Sequence, residues 1–148
     1  MSVTGSGGAP DGWEFFAGLW GLMESVLDQA APALEELGLS TKAFFVLAHV
    51  EERPFPAEIA RMMHLPPPTV TYLVKQLEAR GLLVRKAEPG DLRKFRLLLT
   101  AAGKKALRRG REAFGGVVAG RIARIDAGQL ASLARIVSTL ARTDDAEG

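Results

Sequence analysis

With 148 residues, 47% of them hydrophobic, and no cysteine, the chain can bury one substantial core, while disulfides, thiolate metal sites and thiol redox sensing are excluded. Residues 1–60 set 2 Lys/Arg against 9 Asp/Glu, residues 61–124 set 15 against 4, and residues 125–148 set 2 against 4, so local charges of −7, +11 and −2 lie behind a net +2. A basic middle between acidic ends suits a polyanion-binding face carried on a separate scaffold. No apolar run approaches the ~18–20 residues of a membrane span, which argues against a membrane partner.

The first eight residues, Met1-Ser2-Val3-Thr4-Gly5-Ser6-Gly7-Gly8, lack the charged and apolar regions of a secretory signal. Residues 1–11 are expected to be a disordered tail, and a cytoplasmic location is the simplest expectation. A first helix is expected over Gly12–Leu37, because Trp13, Phe16, Trp20, Met23, Leu27, Ala30 and Leu34 recur in steps of three and four. Pro32 should kink or break it, and Gly38 fits its stop. Ser40 or Thr41 can cap a second helix to about Glu52, with Phe44, Leu47 and Ala48 on one face. Pro56 suits the first position of a short third helix through Met63. Pro66-Pro67-Pro68 should then force a bend.

A fourth helix is expected over Thr69–Arg80, stopped by Gly81. Val70, Leu73, Val74 and Leu77 must face the core, which turns Thr69, Thr71, Tyr72, Lys75 and Gln76 outward. Hydroxyls, an amide and an ammonium on one face can hydrogen-bond bases and neutralise phosphate. Strands are expected at Leu82–Ala87 and Phe95–Leu99, around a turn marked by Pro89-Gly90. Arg85, Lys86, Arg93, Lys94 and Arg96 cluster on this hairpin, and Arg93 near its tip suits a narrow minor groove. Asp91 is expected to brace Arg93, since a carboxylate beside phosphates is repelled. Charge on such a hairpin also protects an edge from aggregation.

Thr100 can cap a long fifth helix containing Gly103, Gly110, Gly115, Gly116 and Gly120. Each glycine costs about 1 kcal/mol relative to alanine, so tertiary packing must support this helix, or it bends near Gly115-Gly116. Its Lys104, Lys105, Arg108, Arg109 and Arg111 fit a solvated face as well as a polyanion contact. Asp126 should open a last helix with Leu130, Leu133, Ala134, Val137, Leu140 and Ala141 on one face, followed by an acidic tail over 144–148. The terminal helices carry apolar stripes with little surface to cover them in one small chain, and a two-fold dimer is their natural solution.

The expected architecture is mainly α with a small β-wing. A helix-turn-helix with its wing spans 39–100, flanked by dimerisation helices at 12–38 and 101–143. The stretch from Leu39-Ser40 to Gly103 resembles the MarR family of winged helix-turn-helix transcriptional regulators. The resemblance rests on Leu39-Ser40, Val46-Leu47, Glu58-Ile59-Ala60, Thr69-Val70-Thr71, Leu77-Glu78-Ala79-Arg80-Gly81-Leu82-Leu83, Arg85, Asp91-Leu92-Arg93 and Leu99-Thr100-Ala101-Ala102-Gly103, in that order. It implies a homodimer on a pseudo-palindromic double-stranded DNA operator, usually as a repressor. It also implies the fourth helix in the major groove, Arg93 in the minor groove, and release by a small aromatic ligand held between the DNA-binding and dimer regions. The DNA-contacting set is then Thr69, Thr71, Tyr72, Lys75, Gln76, Arg85, Arg93 and Lys94, with Asp91 supporting the wing.

Phe16, Trp20, Phe44 and His49 are the candidates for an effector pocket, although aromatic residues at helical spacing also serve as core or interface. The only histidines, His49 and His64, stand fifteen positions apart with no ligand pattern, so no metal and no cofactor are expected. His64 suits a cap on the third helix. No nucleophile elbow, phosphate loop or dinucleotide fingerprint is present, so no enzyme is expected. The alternative is a winged-helix module that binds other proteins.

Overall fold

The computed structural model describes residues 8–142. The elements run α1 (Gly12–Glu36), α2 (Thr41–Val50), α3 (Pro56–Met62), α4 (Pro67–Ala79), β1 (Leu83–Glu88), β2 (Asp91–Leu99), α5 (Ala101–Ile122) and α6 (Ala127–Leu140). The chain is thus mostly helical, with one two-stranded antiparallel sheet. The acidic tail expected over 144–148, and most of the expected N-terminal tail, lie outside the described residues.

Local chemistry starts and stops the helices. Asp11, Ser40 and Thr100 accept from main-chain N–H groups three residues on, at 2.9, 3.1 and 3.0 Å. Asp126 and Gln129 cap one another reciprocally at 2.8 and 3.0 Å. Such caps contribute about 1 kcal/mol each. Three helices end in one way: Gly38, His64 and Gly81 turn left-handed, with φ of 68°, 51° and 70°. The next residue's N–H then reaches back, Leu39 to Leu34, Leu65 to Ala60 and Leu82 to Leu77, at 2.9–3.0 Å. His64 does at the end of α3 what glycine does elsewhere, at a cost of about 1 kcal/mol.

α1 continues through the exposed Pro32, so the proline does not break the helix. One proline expectation needs correction. α4 begins at Pro67 rather than Thr69, because prolines at the first two positions surrender only N–H groups that have no intrahelical acceptor.

The core joins the ends of α1 and α2 (Leu34, Leu39, Leu47) to Ile59 of α3, to Val70, Leu73, Val74 and Leu77 of α4, and to Leu83, Leu97 and Leu107. α5 crosses this core as a continuous helix from Ala101 to Ile122. Two of its glycines explain the close approach: a Cβ on Gly103 would lie 1.9 Å from the Leu82 carbonyl oxygen, and one on Gly110 would lie 2.1 Å from the Phe44 ring. Around that ring Phe45 and Phe114 complete a cluster with centroids 5.3–5.5 Å apart.

The apolar stripe of α1 divides. Ala30 and Leu34 are buried, whereas Trp13, Phe16, Trp20 and Met23 are 53–73% exposed. Leu133, Ile136, Val137 and Leu140 of α6 are likewise 44–59% exposed. Among the described residues nothing covers these two faces. Among the described residues no helix is long and apolar enough to cross a membrane.

Candidate nucleic-acid interface

The burial pattern of α4 follows its sequence: Val70, Leu73, Val74 and Leu77 are 0–5% exposed. Thr71, Tyr72, Lys75 and Gln76 are therefore exposed on the opposite face, with Thr69 half-buried at its margin. Tyr72 is 61% exposed, and its hydroxyl accepts from the Gln76 amide nitrogen at 2.8 Å. The Thr71 hydroxyl donates to the Pro67 carbonyl at 3.0 Å. The face thus offers an amide held in one orientation, a phenol and an ammonium, which suits hydrogen bonding at base edges.

Gly81 reverses the chain after α4, and β1 runs back beside the helix to pair with β2. Register is regular from Leu83↔Leu99 to Ala87↔Phe95 and then jumps to Glu88↔Asp91. Both strands extend further toward the tip than expected, and Leu92, Arg93 and Lys94 are left outside the ladder in a bulge. Arg93 and Lys94 are exposed there. Asp91 does brace this bulge, but through the backbone: its carboxylate accepts from the Arg93 main-chain N–H at 3.0 Å.

Not every cation of the hairpin is free. Arg85 Nε lies 2.9 Å from Glu78 Oε2, and Arg96 Nε lies 2.8 Å from Glu88 Oε1. Each guanidinium also covers an aromatic ring, Arg85 over Phe95 at 4.6 Å and Arg96 over Phe55 at 5.6 Å. Lys86, Arg93 and Lys94 have no ion pair among the described residues. On α5, Arg111 pairs with Glu51 at 3.0 Å, as a solvated face would.

The Leu97 N–H donates to the Pro54 carbonyl at 2.8 Å, tying the wing to the turn before α3. Between the wing and α3 a cleft of about 400 Å³ is lined by Phe55, Pro56, Ala57, Glu58, Arg93, Lys94 and Phe95. At its other end α4 is tied to α1, since Arg80 donates to the Leu37 carbonyl at 2.8 Å and to the Gly38 carbonyl. Cations at a helix C-terminus also complement its dipole. Sequence reading missed Glu78, Arg80, Phe55 and Phe95. Their partners lie across turns, and only the fold brings them together.

The four aromatic-pocket candidates separate. Phe16 and Trp20 stack on one another, with centroids 6.4 Å apart, on the open face of α1. Phe44 is buried beneath Gly110, and His49 is half-buried on α2. Among the described residues no group of three or more potential metal ligands clusters.

Residues 37–94, which hold the second, third and fourth helices and most of the wing, match the model of the MarR family. Over those residues the chain is similar to a MarR-family winged helix. No curated protein sequence is similar enough to match it. Among solved structures it is similar to the Mycobacterium tuberculosis MarR family protein Rv2887 in complex with salicylic acid, at 25% identity and a TM-score of 0.71, over 92% of this chain and 99% of that one. It is similar also to CouR from Rhodococcus jostii RHA1 bound to p-coumaroyl-CoA, at 24% identity and a TM-score of 0.73, over 93% and 96% of the two chains. A third likeness is to a variant of S. aureus MepR bound to an oligodeoxyribonucleotide, at 20% identity and a TM-score of 0.61, over 84% and 97%. MarR family proteins are transcription regulators, not enzymes.

Proposed function

We propose that this chain is a MarR-family member, a cytoplasmic transcriptional repressor that binds a pseudo-palindromic operator as a homodimer. In this reading α4 lies in the major groove, where Thr69, Thr71, Tyr72, Lys75 and Gln76 meet bases and phosphates, and the bulge carrying Arg93 and Lys94 enters the neighbouring minor groove. One observation carries it: a polar, exposed helix face stands beside a wing tip whose cations have no ion pair among the described residues. The oligodeoxyribonucleotide on the MepR variant supports the DNA arm. The uncovered stripes of α1 and α6 support a dimer formed through the terminal helices. Relatives crystallised with salicylic acid and p-coumaroyl-CoA support release by a small aromatic effector.

Such an effector would sit where a second copy closes over α1. Of the four candidates, Phe16 and Trp20 face open solvent in a single chain and would line its site only in the dimer, whereas Phe44 is already buried in the core.

The test uses a duplex that the wild-type chain selects from a random pool. Arg93→Ala is expected to weaken binding to that duplex about tenfold and to lower the slope of log affinity against log salt by about 1, with helical content and sedimentation unchanged. Equal affinity for variant and wild type, measured by fluorescence anisotropy, removes the wing from the proposal.

A further inference from the structure

Arg85 carries a charge on the wing, and by charge alone it belongs with Arg93 and Lys94. Its surroundings say otherwise. Glu78 occupies the last turns of α4, and the left-handed Gly81 sends β1 back past that turn, so that Arg85 comes alongside the Glu78 carboxylate. Arg85 stands opposite Leu97 in the ladder, and Phe95, two residues along β2, lies diagonally from it on the same face of the sheet. The guanidinium therefore meets a carboxylate on one side, at 2.9 Å through Nε, and an aromatic ring on the other, at 4.6 Å. No other ion pair among the described residues links α4 to the wing.

We infer that Arg85 and Glu78 are positioning residues that set the wing against the reading helix, and that Arg85 does not act as a phosphate contact. This rests on the DNA-binding reading above. The two grooves of a duplex stand in a fixed relation, so α4 and the Arg93 bulge must hold a matching one. The base of the wing is held by the Leu97–Pro54 and Thr100–Leu82 main-chain hydrogen bonds and by Leu83 and Leu97 in the core, whereas Arg93 and Lys94 lie outside that core. The pair with Glu78 adds a side-chain tie between α4 and the hairpin. Because the two charges neutralise each other locally, Arg85 adds little to the attraction for a polyanion. Glu78, for its part, is not a simple source of repulsion.

Three consequences separate a brace from a phosphate contact. Arg85→Lys keeps the charge but loses Nε and the flat face that lies on Phe95, so a brace fails where a phosphate contact survives. Glu78→Gln removes a negative charge near DNA, which on electrostatics alone strengthens binding, whereas loss of a brace weakens it. The Arg85→Lys/Glu78→Gln pair should be no worse than either single change, because both remove one contact.

The experiment is a fluorescence-anisotropy titration at several salt concentrations, with the duplex selected by the wild type and a scrambled duplex of the same composition. Each single variant is expected to bind the selected duplex about fivefold more weakly, given the modest worth of partly exposed pairs, and the scrambled duplex as the wild type does. Salt slopes should match the wild type, as should the thermal melt. The inference is overturned if Arg85→Lys binds the selected duplex like the wild type, if Glu78→Gln binds it more tightly, or if Arg85→Ala weakens both duplexes alike and lowers the salt slope by about 1. A wild type that does not distinguish the two duplexes sinks the DNA-binding reading itself, a separate outcome visible before any variant is made.

Discussion

Gly103→Ala is expected to destabilise the protein by at least about 3 kcal/mol, enough to leave a marginal domain largely unfolded at physiological temperature. The added Cβ would sit 1.9 Å from the carbonyl oxygen of Leu82 and 2.9 Å from its carbonyl carbon. Neither can swing aside. The Leu82 oxygen accepts from Thr100 N–H at 3.1 Å, and the Thr100 hydroxyl donates to the Gly81 carbonyl at 2.6 Å while accepting from Gly103 N–H. The end of α4, the start of β1, the end of β2 and the start of α5 all meet at this point. Relieving the clash therefore means moving α5 away from the core that Ala106 and Leu107 complete. Gly110→Ala provides the comparison, because its Cβ would meet a Phe44 ring that can shift against Phe45 and Phe114. It should lose about 1–3 kcal/mol. Urea denaturation gives both values. A Gly103→Ala protein as stable as the wild type would mean that α5 does not approach the α4–β1 turn as described.

The double change Trp20→Glu with Ile136→Glu is expected to yield folded single protomers and to weaken binding to the selected duplex by at least about 100-fold. Both side chains are 53% exposed within one chain, so their loss removes little from the protomer's core. Charges there would have to be buried without partners in a dimer formed through α1 and α6, which is costly. The DNA consequence follows from linkage. Two reading helices held in one dimer bind the second half-site as an intramolecular event, a gain of about 10²–10⁴ that separate protomers forgo. Sedimentation velocity reports the assembly and anisotropy the affinity. Dimers that persist, with DNA binding intact, would place the interface elsewhere.

The features that sequence made legible are those decided by local chemistry. Ser40, Thr100 and Asp126 cap their helices, Gly38 and Gly81 stop theirs, and the inward set of α4 is the one its spacing requires. The features that escaped depend on partners distant in sequence or on tolerance rather than preference. Prolines at 67 and 68 read as a bend, yet a helix start lacks acceptors for those N–H groups in any case. The left-handed turn at His64 carries no glycine to announce it. The bulge at residues 92–94 is a property of register, which one strand alone does not contain. Arg85 and Arg93 are the same residue type on the same hairpin, and only the positions of Glu78 and Phe95 distinguish the occupied guanidinium from the free one. For α1, spacing showed one continuous stripe, whereas the fold buries Ala30 and Leu34 and leaves Trp13, Phe16, Trp20 and Met23 exposed.

The measurement that bears most directly on the account is a competition between the duplex selected by the wild-type protein and random-sequence DNA at physiological salt. A sequence-reading helix beside a minor-groove wing predicts that the selected duplex wins by at least about 10³-fold, with a steep fall in affinity as salt rises. Equal affinity for the two would contradict it, and would leave the exposed face of α4 as a surface for something other than DNA sequence.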